Sequence, residues 1–145
     1  MARMIFVNLP VSDVARSTTF YESLGFIRDP RFSNDQASAM TWSDTITLMI
    51  LGHDFFRGFL PGGRTIGDAQ QTTEVLLCLS FDDRAGVDAI TEAAVRAGGA
   101  ADVRSPQDMG FMYSRAFADP DGHIFEPMHM DVDAALAAMS APQPA

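Results

Sequence analysis

Apolar and polar residues follow the same order of blocks twice along this chain. In the first half, an alternating apolar stretch over residues 4–10 predicts a strand. Asp13 is placed to cap a helix, whose apolar residues recur at helical spacing until Gly25 ends it. Three stretches of strand type follow, at residues 26–31, 37–42 and 45–51. A short aromatic-rich helix is predicted after them, at residues 54–60. The first half is therefore predicted to be β-α-β-β-β.

The same order returns after a polar linker with three glycines, residues 61–73. An apolar stretch predicts a buried strand, and apolar residues then recur at helical spacing from Val87 to Ala97, before Gly98-Gly99 ends the helix. The predicted strands of this half are residues 74–81, 100–105, 111–118 and 123–128. The turn Asp119-Pro-Asp-Gly122 joins the last two strands. A last helix is predicted over residues 131–139, and a frayed tail over residues 141–145.

These two halves predict an α+β fold built from two tandem βαβββ modules, which form a curved mixed sheet around a cavity. The modules occupy residues 4–60 and 74–130, within one domain of residues 1–135. Residues 136–145 are expected to be a C-terminal tail. We expect any function to lie in the cavity between the modules, where a small molecule would bind.

Composition narrows the classes of partner. The net charge of −9 would repel a phosphate backbone, and the ten Lys and Arg residues are scattered, so nucleic acid is not an expected partner. No apolar run is long enough to cross a membrane, and no secretory signal is visible. Cys78 is the only cysteine, which rules out an intrachain disulfide and is typical of a reducing compartment. We therefore expect a cytoplasmic protein.

Two stretches contain candidate metal ligands, but neither predicts a metal site. His123, Glu126 and His129 are spaced three apart, which would bring them together on a helix but not on the strand predicted here, where Glu126 faces the other way. The Asp119-Pro-Asp-Gly122 stretch lacks the acidic residue that ends a calcium-binding loop, so it predicts a turn. No nucleophile elbow, P-loop or dinucleotide-binding fingerprint is present either.

Several motifs together resemble those of the vicinal oxygen chelate superfamily, which joins glyoxalase I, bleomycin-resistance proteins and extradiol dioxygenases. They are Phe6-Val-Asn-Leu-Pro-Val-Ser-Asp13, Phe20-Tyr21 with Leu24-Gly25-Phe26, Ala97-Gly98-Gly99, and Asp119-Pro-Asp-Gly-His-Ile-Phe-Glu126. The resemblance covers about residues 4–130 and includes the duplicated βαβββ order. Residues 106–113 further resemble a branch of predicted lactoylglutathione lyases.

The resemblance implies four metal-ligand positions, on the first and last strand of each module. In this sequence they fall on Phe6, Met49, Leu76 and Glu126. Only Glu126 offers an oxygen ligand, since Phe and Leu have no lone pair and a Met thioether suits soft ions. We therefore expect no metal or other cofactor, with Glu126 as the only plausible ligand.

Strand parity predicts which side chains look into the cavity. The inner-face residues are Phe6, Asn8, Thr47, Met49, Leu76, Cys78, Glu126 and Met128. A carboxylate among Phe6, Met49 and Leu76 would have a raised pKa, which suits proton transfer, so Glu126 is the candidate catalytic residue. The alternative is that Glu126 forms a salt bridge or hydrogen bond that only satisfies a strand residue. For Asn8 the favoured interpretation is a hydrogen bond to a neighbouring strand, and for Cys78 it is core packing.

Two functions remain open from the sequence. One is a bleomycin-resistance-type protein that binds a small, largely apolar or cationic molecule between the modules, without the usual metal. The other is a glyoxalase I-like enzyme in which Glu126 transfers a proton next to a carbonyl. A dioxygenase is less expected, because its iron needs two His and one Glu. Relatives of this kind often pair, so a homodimer is expected.

Overall fold

The computed structural model describes residues 1–140; the tail predicted over residues 141–145 lies outside them. The helices are α1 (Val14–Ser23), α2 (His53–Arg57), α3 (Arg84–Arg96) and α4 (Val132–Ser140). The strands are β1 (Ile5–Val11), β2 (Ile27–Asp29), β3 (Ala37–Ser43), β4 (Ile46–Gly52), β5 (Leu76–Ser80), β6 (Ala100–Ala101), β7 (Gln107–Asp108), β8 (Met112–Ser114), β9 (Phe117–Ala118) and β10 (Ile124–Met130). A 3-10 turn, Pro30–Phe32, follows β2.

The first module forms a four-stranded sheet in the order β1-β4-β3-β2. β1 pairs in parallel with β4, and the other neighbours are antiparallel. The predicted cap is present, because the Asp13 carboxylate accepts a hydrogen bond from the Arg16 amide at 3.0 Å. Gly25 then leaves the helix with a φ of +102°, which side chains with a Cβ rarely adopt. Local sequence signals therefore account for this module.

The second module forms a sheet in the order β6-β9-β10-β8-β7, with β5 parallel to β10. The continuous strand predicted over residues 111–118 is wrong, since it is divided into β8 and β9. The division lies opposite Glu126 and Pro127 of β10, and Pro127 has no N–H to donate to a neighbouring strand. The Arg115 amide still donates to the Pro127 carbonyl at 3.2 Å, which keeps the two pieces in line.

The strand predicted over residues 100–105 is also shorter than expected. It ends after Ala101, because Asp102 has a left-handed backbone with φ of +51°. The Asp102 carboxylate accepts two hydrogen bonds from the Arg115 guanidinium, at 3.1 and 2.9 Å, which hold this bend. The chain returns to the sheet as β7, which the sequence pattern did not predict.

Both sheets bury the same kind of face against one core. Leu9, Ile50, Leu79 and Phe125 belong to a single cluster of buried side chains that also contains residues of α1 and α3. The rings of Tyr21 on α1 and Phe125 on β10 are 5.8 Å apart, in an edge-on arrangement. The core thus lies between the helix-covered faces of the two sheets, and each sheet keeps its second face, here called its open face, away from that core.

The Asp119-Pro-Asp-Gly122 turn is present as predicted, and it also ties the two modules together. The Tyr21 hydroxyl donates to Asp119 Oδ2 at 2.7 Å, and both groups are buried. Asp121 accepts from the Ser12 amide at 2.9 Å. A motif that local chemistry explains as a turn is therefore also a contact between modules. Within residues 1–140, each helix is too short or too polar to span a bilayer.

Candidate functional site

The eight predicted inner-face residues lie on the open faces, four on each sheet. On the first sheet, Phe6 is opposite Thr47 and Asn8 is opposite Met49. On the second, Glu126 is opposite Cys78, with Leu76 and Met128 at neighbouring positions of the same face. Strand parity was thus sufficient to group these side chains correctly within each module.

The two groups lie on two separate sheets. Phe6 is 56% exposed and Leu76 is 53% exposed, and these two are the equivalent first-strand positions of the two modules. The shared core lies on the opposite faces of the sheets, and of the eight residues Thr47 alone is buried, at 6% exposed. The first-strand position of each group is therefore open to a ligand or to a second chain.

Glu126 is engaged by a residue that sequence reasoning missed. Arg104 donates two hydrogen bonds to Glu126 Oε2, from Nε at 2.9 Å and from Nη2 at 2.7 Å. The same Nη2 donates to the Ser114 hydroxyl at 2.9 Å. The side chains of Glu126 and Arg104 are 16% and 30% exposed. The carboxylate therefore has a salt-bridge partner, which is the alternative that the sequence left open, and its surroundings are not purely apolar.

Cys78 lies on the other side of the same carboxylate. Its thiol is 3.5 Å from Glu126 Oε1, and the residue is exposed, so it is not the core filler considered as an alternative. Burial and the neighbouring Glu126 charge both raise the pKa of the thiol, although Arg104 opposes this. The thiol is therefore a hydrogen-bond donor at neutral pH and not an activated nucleophile.

Arg104 reaches Glu126 because of the bend at Asp102. The strand leaves the sheet there, and the following loop crosses the open face between β6 and β7. The sequence placed Arg104 within the strand predicted over residues 100–105, and nothing in that pattern indicates a contact with Glu126. The one hint in the sequence was Pro106, which limits the extension of a strand at that point.

The donor set does not fit a divalent metal. Of the four positions implied by the superfamily, Phe6, Met49 and Leu76 carry no suitable ligand, and Glu126 is paired with Arg104. Across residues 1–140, no three His, Cys, Asp or Glu side chains are grouped to hold an ion. His123 and His129 each use a ring nitrogen on a backbone carbonyl, Pro10 at 2.7 Å and Phe81 at 2.9 Å. The residues at these four positions therefore do not make up the metal site that the resemblance implies.

Comparisons with known proteins agree with this fold. Residues 3–34, which contain β1 and α1, match a family model described as bleomycin resistance protein-like N-terminal. No curated protein matches the sequence.

Three solved structures illustrate the likeness. A hypothetical protein, SA1046 from S. aureus, has a TM-score of 0.73 at 26% identity, covering 89% of this chain and 95% of that one. A glyoxalase/bleomycin resistance protein/dioxygenase family enzyme from Burkholderia phytofirmans PsJN has a TM-score of 0.71 at 18% identity, covering 89% and 99%. The fosfomycin resistance protein FosX from Listeria monocytogenes has a TM-score of 0.64 at 18% identity, covering 92% and 97%.

The chain thus has the fold of the vicinal oxygen chelate superfamily, the class to which glyoxalases, bleomycin-resistance proteins and the related dioxygenases belong. Its first strand and helix match the bleomycin resistance protein-like model. The fold that the sequence resemblance implies is confirmed. The lactoylglutathione lyase-like branch, the domain limits and the roles of individual site residues stay predictions.

Proposed function

We propose that this chain is a binding protein of the bleomycin-resistance type, which holds a small, largely apolar or cationic molecule against the open faces. The observation that carries this proposal is the composition of the open face of the second module's sheet. Apolar side chains, Leu76 and Met128, lie beside one polar group formed by Arg104, Glu126 and Cys78. An apolar surface with few, well-placed polar groups is the usual composition of a small-molecule site.

A second copy of the chain would complete the site. Each open face presents solvent-exposed apolar residues, such as Phe6 and Leu76, which is unfavourable for an isolated chain. The open face of the first module in one protomer would then cover the open face of the second module in its partner. In that arrangement, Phe6 and Met49 lie opposite the partner's Leu76 and Glu126. We therefore propose a homodimer with two such cavities and, from the lone cysteine, a cytoplasmic location.

Binding is favoured over glyoxalase-type proton transfer. A general base needs a lone pair that can reach the substrate proton. Oε2 of Glu126 already accepts two hydrogen bonds from Arg104, and Oε1 lies beside the Cys78 thiol. The donor set also lacks the metal ligands that would stabilise an enediolate. We accordingly propose that no metal takes part.

The test combines binding, metal analysis and an activity assay on the purified full-length chain. We expect a metal-free protein whose melting temperature rises with cationic aromatic compounds, and rises less in Glu126→Gln than in Glu92→Gln, a matched change on the exposed side of α3. Stoichiometric zinc or nickel would contradict the proposal. So would turnover of the methylglyoxal–glutathione hemithioacetal that is lost in Glu126→Gln. A monomer by sedimentation at micromolar concentration would overturn the two-chain cavity.

A further inference from the structure

A second concave region lies along the seam between the modules, away from Arg104 and Glu126. It consists of two adjoining clefts of about 460 and 490 Å³, which share Pro10, Ile66 and His123 among their lining residues. Each has the volume of a typical small-molecule site. We call the two together the seam cleft. Of the eight open-face residues, only Asn8 lines it.

One end of the seam cleft is rich in cationic and donor groups. Arg16, Arg57, His53 and His123 line it. Two carboxylates, Asp68 and Asp121, line it as well, but both have partners. Asp121 accepts from the Ser12 amide and from Arg16, and Asp68 accepts from the Gln70 amide at 3.0 Å. Each carboxylate of this end thus accepts at least one hydrogen bond within the protein.

Arg57 is the cation best placed to meet a ligand. Its pairing within residues 1–140 is with Asp54, three residues earlier on α2, whose side chain is 99% exposed. An ion pair so open to water contributes little, and its guanidinium is free to exchange partners. Asp54 does not line the seam cleft, whereas Arg57 does. A carboxylate entering this end would therefore gain a two-pronged partner without having to displace a buried one.

The other end of the seam cleft is mainly apolar. Val7, Leu9, Phe56, Leu60, Val75 and Ile124 line it. Its charged groups are Arg64 and Glu74, one of each sign. The cleft thus runs from a donor-rich end to an apolar end, which matches an amphipathic molecule.

The linker forms the roof of the seam cleft and is held in place. Gln70 donates from its side chain to the Pro120 carbonyl at 3.1 Å. Gly122 allows this approach, because a Cβ at that position would lie 2.8 Å from the Ala69 carbonyl oxygen. The cleft is consequently a built feature of the fold and not the gap beneath a loose loop.

From this arrangement we propose that the seam cleft is a second binding site, which takes a small amphipathic molecule with a carboxylate head at the Arg57 end and an apolar body along β1. The site is independent of the proposed function, which uses the open faces. His123 divides the two ends, and because its Nε2 donates to the Pro10 carbonyl, its Nδ1 is left as a hydrogen-bond acceptor.

Octanoate is the probe. Octyltrimethylammonium and 1-octanol, which carry an alkyl chain of the same length, are the cationic and neutral control compounds. By titration calorimetry on the full-length protein, we expect octanoate to bind at least about tenfold more tightly than either. Arg57→Gln should weaken octanoate binding by roughly tenfold. Arg31→Gln is the matched control, because Arg31 is exposed and also pairs with a nearby carboxylate, that of Asp29, but lies outside the cleft. It should leave binding unchanged.

The three histidines locate the bound probe. His53 and His123 line the seam cleft, whereas His129 lies in β10 and bonds to the Phe81 carbonyl. In proton NMR, octanoate should shift the ring signals of His53 and His123 and leave those of His129 in place. Equal affinity for the cationic probe, equal loss in both Arg variants, or absence of shifts at His53 and His123 would each overturn the proposal. Loss of octanoate binding in Glu126→Gln would instead assign the probe to the open face.

Discussion

Arg104 places both of its hydrogen bonds to Glu126 on a single oxygen, Oε2, and leaves Oε1 to the thiol of Cys78. The sequence placed Glu126 among apolar neighbours, whereas the structure pairs it with Arg104. Glu126 is part of a neutral polar group on an otherwise apolar surface. Such a group can orient a ligand through directional hydrogen bonds without presenting a net charge.

Removing Arg104 should therefore destabilise the fold through the carboxylate it leaves behind. We expect Arg104→Gln to lower the free energy of unfolding by about 1–2 kcal/mol, because Glu126 is largely buried and loses a charged partner. Denaturant unfolding measures this. Adding Glu126→Gln should recover part of the loss, since the double variant no longer buries a charge. If the two single effects simply add, the pair is not coupled as the structure indicates.

Tyr21 and Asp119 give a prediction for the contact between modules. Tyr21→Phe removes the hydroxyl that donates to Asp119 Oδ2 and leaves a buried acceptor unpaired, at a cost of about 1–3 kcal/mol. Tyr113→Phe is the matched control, because Tyr113 also donates to a carboxylate, Asp88, at a far less buried site. Comparable melting temperatures for the two variants would contradict this assignment.

The same tyrosine should weaken the protein at alkaline pH. Burial, together with the Asp119 charge, raises the pKa of Tyr21 well above its ordinary value near 10. Above about pH 10 the unfolded chain loses this proton while the folded chain keeps it, so the free energy of unfolding falls as the pH rises. Below pH 10 the contribution is fully present. The slope of stability against pH between 10 and 11 should be smaller in Tyr21→Phe than in the wild type.

Cys78 should report on the charge of Glu126. The raised pKa of the thiol keeps it protonated, so its alkylation by iodoacetamide at pH 8 should be slow. Glu126→Gln removes the negative neighbour and should speed the reaction roughly several-fold. Glu92→Gln, a remote carboxylate on α3, should not. A molecule bound at the open face should protect Cys78, whereas octanoate in the seam cleft should leave its rate unchanged.

Gly122 should be the glycine least tolerant of a side chain among those with left-handed backbone. Its φ is +95°, and a Cβ would also meet the backbone of Ala69 and Gln70 at 2.8–2.9 Å. Gly110 has a φ of +81°, and a Cβ at this position would have no atom within 4 Å. Gly110→Ala should therefore lower the free energy of unfolding only through backbone strain, by about 1–2 kcal/mol. Gly122→Ala should cost more and should expose residues 61–73 to limited proteolysis. Equal costs would mean that the linker does not rest on Gly122.

Local pattern predicted most of this fold because its signals are local. Asp13, Gly25 and Gly98 bound the helices as expected, and alternation placed Phe6 with Asn8 and Glu126 with Met128 on common faces. The strand over residues 100–105 failed because a left-handed Asp102 gives no periodic signature. The strand over residues 111–118 failed because its break is imposed by Pro127, on another strand.

The sequence by itself determined the two modules and which strand side chains share a face of each sheet, since both depend on periodicity. Only the tertiary structure decided that Arg104 meets Glu126, that the strands of the two modules form two separate sheets, and that the linker roofs a cleft against Gly122. Those contacts join residues far apart in the chain. They follow from which faces share the core and where a strand bends, and neither property is encoded in the spacing of neighbouring residues.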